Sequence, residues 1–332
     1  MSNSRLFGSG APGVTCVWAA NFAMEMSRFL MLIDALGDAS IAFDVEFPGF
    51  FSTPTRGASQ DHQYAAMAMN TALLEPIQIG LAVANSVGEV VGVWEFNLEF
   101  DVNTHLHCSH SVGLLSEAGL KFNEHRVAGI RRADLQRRFV ESFIPWLAKT
   151  GPHCQFVSFA GLYDYAYLLK LLVGPSLPPT ISDFFAAVDD MFPCRCELRT
   201  VLPYGSLDAL AAEFNVERRG AAHSAASDSL LTLELYQAAV VVDGCHVVPA
   251  RSCYVDRLQV PSTMFRHPPG LQTSLPSLPF GRVRSGESMS AGIAPCRAST
   301  WACHARSVAQ EEVARAKSPA VWLAVARATC VF

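Results

Sequence analysis

No run of apolar residues in this chain is long enough to cross a bilayer. The most apolar stretch, around Phe29-Leu30-Met31-Leu32-Ile33, is broken by Glu25, Arg28 and Asp34 and reads as an amphipathic helix. A basic start followed by an apolar block is also missing, so no secretory signal is expected. The ten cysteines include no Cys-x-x-Cys; Cys194 and Cys196 are the closest pair. A disulfide framework is therefore not expected, and free thiols in a reducing compartment are. Cys303-His304 lacks a second pair at ligand spacing, which argues against zinc. Positive charge is scarce where it would matter for a broad nucleic-acid face. The net charge is −5, but residues from Gly244 onward carry +6 and the first 243 carry −11. A body this acidic argues against binding a polyanion over a wide basic surface. It fits a narrow acidic cleft that takes a short piece of substrate, or simply surface acids that keep the domain soluble.

What is present is a pattern of acids. Asp44 and Glu46 lie two residues apart in Ile41-Ala42-Phe43-Asp44-Val45-Glu46-Phe47-Pro48-Gly49. In a strand, residues i and i+2 share a face, so an apolar run ends in two adjacent carboxylates. Like charges that close repel, and a cation between them is the simplest relief. Asp164 and Asp228 lie in later segments, and His223 stands five residues before Asp228. Taken singly, an Asp-x-Glu at a strand end is most often a solvated terminus, and His223 a histidine at a helix start. The set of four acids and a histidine points instead to a two-metal nuclease site. The cluster His105, His107 and His110 reads as a polar loop rather than a metal site.

Periodicity predicts a helix over 17–36, a strand over 41–46, a helix over 60–74, and a hairpin of 77–83 with 90–98. Helices are expected over 109–120, 131–147, 163–172, 184–191, 206–214 and 225–240. Short strands are expected over 155–159 and 194–198. Arg131, Arg132, Arg137 and Arg138 form a basic face, read as solvated. Thr180-Ile181-Ser182-Asp183 resembles a capping box. Strands alternating with helices imply an α/β domain with a mixed sheet flanked by helices. The expected organisation is a flexible start over 1–13, one domain over 14–243, and a basic, low-complexity tail over 244–332, expected to be disordered.

Three segments resemble one known family. They are Phe43-Asp44-Val45-Glu46-Phe47-Pro48-Gly49, Tyr163-Asp164-Tyr165-Ala166-Tyr167-Leu168-Leu169-Lys170-Leu171-Leu172, and His223-Ser224-Ala225-Ala226-Ser227-Asp228-Ser229-Leu230-Leu231-Thr232. Together they resemble the Caf-one/Pop-two deadenylases, DEDD-superfamily exonucleases with an RNase H-like core. Gln78-Ile79-Gly80-Leu81, Trp94 to Phe100 and Phe214 to Arg218 support the match, which runs from about Val17 to about Ala239. Three departures stand out. Val45 replaces the family's Thr. Phe159-Ala160-Gly161-Leu162-Tyr163-Asp164 replaces Phe-His-Ser-Gly-Tyr-Asp. Glu197 stands where the family has Asp.

The resemblance implies 3′-to-5′ hydrolysis of mRNA poly(A) tails with release of 5′-AMP, using two divalent cations, Mg²⁺ or Mn²⁺. It implies that Asp44 bridges the ions, that Glu46 and Asp228 complete one, that Asp164 helps hold the other, and that His223 is the general base. The poly(A) 3′ end, a Ccr–Not scaffold subunit and a second deadenylase are the partners it implies, in cytoplasm and nucleus, with no membrane. Two readings stay open beside it. One is a different DEDD exonuclease, acting on other RNA or on single-stranded DNA. The other is a catalytically weak adaptor of the deadenylase complex.

Overall fold

The computed structural model describes residues 13–55, 57–239, 241–242 and 245–246. Strand β1 (Val14–Val17) leads to helix α1 (Phe22–Leu36), strand β2 (Ala39–Glu46) and helix α2 (Gln60–Leu73). Strands β3 (Gln78–Asn85) and β4 (Val90–Asn97) form the expected hairpin. Helices α3 (Ser109–Glu117), α4 (Phe122–Ala128), α5 (Arg132–Arg138) and α6 (Ile144–Thr150) follow. Then come β5 (Cys154–Ser158), α7 (Leu162–Leu172), α8 (Ile181–Met191), β6 (Arg195–Glu197), α9 (Leu198–Val201), α10 (Leu207–Glu213) and α11 (Ala225–Ala239). A small hairpin of β7 (Val241–Val242) and β8 (Cys245–His246) ends the described chain.

Six strands make one mixed sheet in the order β1-β4-β3-β2-β5-β6. β2, β3 and β4 are antiparallel, while β1 runs parallel to β4, β5 to β2 and β6 to β5. Both faces are covered, and β2 shows why. Ile41, Phe43 and Val45 pack with Phe29 and Ile33 of α1 and Tyr165 and Leu168 of α7. On the other face, Ala42 joins Ala82, Ala84 and Val93 beneath Leu230, Leu233 and Tyr236 of α11. Small side chains on that face let α11 lie close to the sheet. The same period of two sends Asp44 and Glu46 to the α11 side.

Several predicted elements differ. The helix expected from Val17 starts at Phe22, and Val14–Val17 is an edge strand instead. The chain turns between them, where the Trp18 N–H donates to Asn21 Oδ1 at 2.7 Å. The helix expected over 131–147 is broken by a π-helical turn at Phe139–Phe143, just before Pro145, which has no N–H to offer. Helix α4 was not predicted; its His125 is buried with Nδ1 2.8 Å from the Leu98 carbonyl. Thr180 does cap α8, accepting the Asp183 N–H at 3.1 Å, and the helix begins at Ile181 rather than Phe184. Of the predicted tail, only Cys245 and His246 fall among the described residues, and they pair as β8; the rest lies outside them, as do residues 1–12. Among the described residues no helix is long and apolar enough to cross a membrane.

Two buried polar groups tie the helices near the end of β2. Lys170 of α7 is fully buried and donates to the Thr71 and Leu74 carbonyls at 2.8 Å each and to Glu75 Oε1 at 3.0 Å. It thereby satisfies free carbonyls at the end of α2. Asn70 accepts the Phe51 and Ser52 N–H groups at 2.9 Å each and donates to the Tyr163 hydroxyl at 3.1 Å. This pins the segment after β2 beside the residue that precedes Asp164.

Candidate active site

The site lies where β2 ends. Gly80 pairs with Asp44 across the β2–β3 ladder, and Glu95 of β4 pairs with Gly80. A side chain on Gly80 would put its Cβ 1.9 Å from the Ala225 carbonyl oxygen, so the first turn of α11 rests directly on this glycine. Two contacts fix that turn over the sheet. The Ser224 hydroxyl donates to Glu95 Oε2 at 2.7 Å, and the Ala225 N–H points to Gln78 Oε1 at 3.5 Å. Asp228 is thereby carried to the carboxylates of β2.

Asp164 arrives from the opposite side. It is buried in the first turn of α7, and its Oδ1 accepts the N–H of Val45, the residue between Asp44 and Glu46, at 3.1 Å. The turn before it places Ala160 at φ 58°, a left-handed conformation costly for a residue with a side chain. Glu197 holds this turn. Its Oε1 accepts the Ala160 N–H at 2.7 Å and the Arg199 N–H at 2.9 Å. Its Oε2 accepts the Gly161 N–H and the Ser158 hydroxyl, both at 2.9 Å. Glu197 is therefore an anchor of the backbone around Asp164.

Asp228 is gripped on both oxygens. Arg218 donates to Oδ1, and the His223 N–H donates to Oδ2 at 3.1 Å. Arg218 also binds Asp208 Oδ1 at 2.6 Å and the Ser227 hydroxyl at 3.0 Å. His223 itself is exposed, with φ 61°. Ligand atoms of Glu46, His223 and Asp228 lie within 4.8 Å of one another, while Asp44 and Asp164 form the deeper part of the same acidic patch. All five predicted residues are thus brought to one place.

The electrostatics are strained. Burial, then the charges of Asp164, Glu46 and Asp228, raise the Asp44 carboxyl well above the usual range, and Arg218 offsets part of this. Burial, then Glu197, does the same to Asp164, against the lowering effect of the Val45 N–H. Glu46 is pushed up to about 8 by burial, then by Asp228 and Glu95. Crowded, desolvated carboxylates of this kind suit hard divalent cations, which take oxygen ligands. The chemistry of the donor set therefore fits Mg²⁺ or Mn²⁺.

Sequence reasoning did not assign roles to Gly80, Arg218 or Glu95, although each stood inside a segment that supported the resemblance. Of the histidines read as a polar loop, His110 lies in α3, while in the loop before it His105 Nδ1 accepts the Asp101 N–H at 2.8 Å and His107 Nδ1 lies 3.0 Å from the His105 carbonyl. In the basic face, Arg131 and Arg137 pair with Asp134, and Arg132 pairs with Glu75.

No protein-family model matches the chain. Individual relatives do. The probable CCR4-associated factor 1 homolog 7 of Arabidopsis thaliana is 31% identical over 232 residues, 65% of this chain and 82% of that protein. The poly(A) ribonuclease pop2 of Schizosaccharomyces pombe is 29% identical over 230 residues, 66% of this chain and 67% of that protein. A solved structure of S. pombe Pop2p in its Mg²⁺- and Mn²⁺-bound form superposes with a TM-score of 0.63 at 28% identity, covering 70% of this chain and 94% of that one. With the acids converging as the resemblance implied and these relatives matching over most of their length, the chain belongs to the CCR4-associated factor 1 family.

Proposed function

We propose that this protein is a 3′-to-5′ exoribonuclease that shortens poly(A) tails and releases 5′-AMP. The observation that carries the reading is the convergence of Asp44, Glu46, Asp164 and Asp228, with His223 at the rim, in a member of a family that includes a poly(A) ribonuclease. Two divalent cations, Mg²⁺ or Mn²⁺, supply charge neutralisation on the phosphate, acidify the attacking water and stabilise the departing 3′ oxygen when bound.

The protein's own residues perform the rest. Asp44 and Asp164 hold the deep side of the site, and Glu46 and Asp228 the side nearer His223. The Val45 N–H keeps Asp164 turned toward β2, and Arg218 keeps Asp228 turned toward Glu46. A ring nitrogen of His223, which lies with Glu46 and Asp228 at the rim, takes the proton of the attacking water as general base. Its exposure lets that proton pass on to solvent. We further propose that the protein works on a Ccr–Not scaffold subunit beside a second deadenylase, in cytoplasm and nucleus, as family membership implies. Co-purification with the tagged chain and fluorescence localisation test those two points.

The activity is tested by incubating the protein with 5′-labelled A-tailed RNA, mixed-sequence RNA and single-stranded DNA, with and without Mg²⁺ or Mn²⁺. A ladder of shortening products, dependent on metal and fastest on the A tail, is expected. No shortening with either metal would end the nuclease reading, and equal rates on the three substrates would end the poly(A) preference.

A further inference from the structure

Beyond Glu197 the chain leaves the sheet and builds a second feature beside the acids. The Arg199 guanidinium carbon lies 5.3 Å from the centroid of the Phe159 ring and 5.1 Å from that of the Tyr204 ring, within cation–π range of both. Arg199 also donates to the Gly205 carbonyl, which holds the loop carrying Tyr204 against it. Tyr204 is 75% exposed, in a stretch where Thr200, Val201 and Pro203 also face solvent.

Its place is what gives this stack meaning. Phe159 follows Val157 by two residues, as Asp44 follows Ala42, and Ala42 and Val157 are partners in the β2–β5 ladder. The stack therefore stands at the same end of the sheet as the acids. One carboxylate serves both features: Glu197 accepts the Arg199 N–H and the N–H groups of the turn before Asp164. A guanidinium backing a solvent-facing ring also places positive charge beside a patch that otherwise repels a phosphate backbone. Grooves that take single-stranded nucleic acid combine such charge with aromatic faces on which bases stack.

We propose that Tyr204, backed by Arg199 and Phe159, is the stacking platform for a base of the single-stranded substrate lying 5′ of the scissile bond. This rests on the nuclease reading above and adds a substrate contact to it. Stacking uses the π-face that every base has, and a purine offers the larger one, so the platform takes oligo(A) well without reading adenine's edge.

Two measurements on the full chain test it, comparing wild type with Tyr204→Ala and Tyr204→Phe. The first is anisotropy of fluorescent oligo(A) in Ca²⁺. Tyr204→Ala is expected to weaken binding about tenfold, which corresponds to ~1.4 kcal/mol and lies within the usual worth of one stacked base, while Tyr204→Phe binds as wild type. The second is steady-state hydrolysis in Mg²⁺. Tyr204→Ala should raise KM on oligo(A) and leave kcat unchanged. Unchanged oligo(A) binding by Tyr204→Ala would overturn the platform. So would a fall in kcat as large as the rise in KM, which would make Tyr204 a prop for the loop. Tyr204-dependent binding without any hydrolysis by wild type would instead overturn the nuclease reading and leave the platform standing.

Discussion

Gly80 lies directly across the β2–β3 ladder from Asp44, and its lack of a side chain is what lets Ala225, at the start of α11, rest on the sheet. Everything α11 brings to the site depends on that approach.

Gly80→Ala should therefore damage the site without touching an acid. Its Cβ would collide with helix backbone, which cannot swing aside as a side chain can. Overpacking of this kind costs ~1–3 kcal/mol. A misplacement of Asp228 by about 1 Å is enough to slow turnover roughly a hundredfold. Thermal melts and hydrolysis of A-tailed RNA measure both effects; wild-type turnover in this variant would contradict the placement of α11.

Asp44→Asn should abolish hydrolysis and leave the fold intact. Removing one charge from a crowded, buried patch relieves repulsion, so the variant is expected to melt at or above the wild-type temperature in chelator. Saturating Mg²⁺ should stabilise wild type, by ~2.7 kcal/mol at a hundredfold excess over Kd, and the variant much less. Residual turnover, or an equal Mg²⁺ response in both proteins, would remove Asp44 from the metal site.

The raised carboxylates set a pH dependence. Glu46 moves from 4.5 to about 8, and Asp44 and Asp164 are raised with it. The folded metal-free protein therefore holds protons that the unfolded chain has released. Stability from these groups is full below the ordinary carboxylate range and is lost as pH rises from about 4.5 through about 8. Metal must displace the same protons, so binding should release protons near neutrality and flatten the slope. Melting temperature against pH, with chelator and with Mg²⁺, reads this directly. A metal-free protein that gains stability over that window would show the sign to be wrong.

Glu197→Gln should loosen the turn before Asp164. An amide nitrogen cannot accept, so one or more of the Ser158, Ala160, Gly161 and Arg199 donors is left unpaired in a buried place. The expected loss is ~2–3 kcal/mol, with a fall in kcat from poorer placement of Asp164. Denaturant titration alongside single-turnover hydrolysis checks both. An unchanged midpoint would mean that the four bonds do not hold the turn.

The acids were legible because their geometry is local. A two-residue repeat sets the face of Asp44 and Glu46 whatever the rest of the fold does, and the hairpin of β3 and β4 announces itself by its turn. What escaped was non-local or too short. Val14–Val17 runs without a break into the apolar period of α1, and only its pairing with β4 makes it a strand. Phe139, Phe143 and Trp146 keep helical spacing through the π turn, so the pattern hides the break. Gly80 matters through Ala225, far along the chain, and Arg218 through Asp208, Ser227 and Asp228, nine or ten residues away across turns, and no helix or strand spacing reaches either set.

The bond from the His223 amide to the Asp228 carboxylate closes a small ring of chain around the five-residue interval between them. His223 and Asp228, the proposed base and ligand, are consequently held in register through a main-chain amide. Inserting or deleting a single residue there would unseat both at once, and would also pull Ser224 from Glu95 and Ala225 from its seat on Gly80.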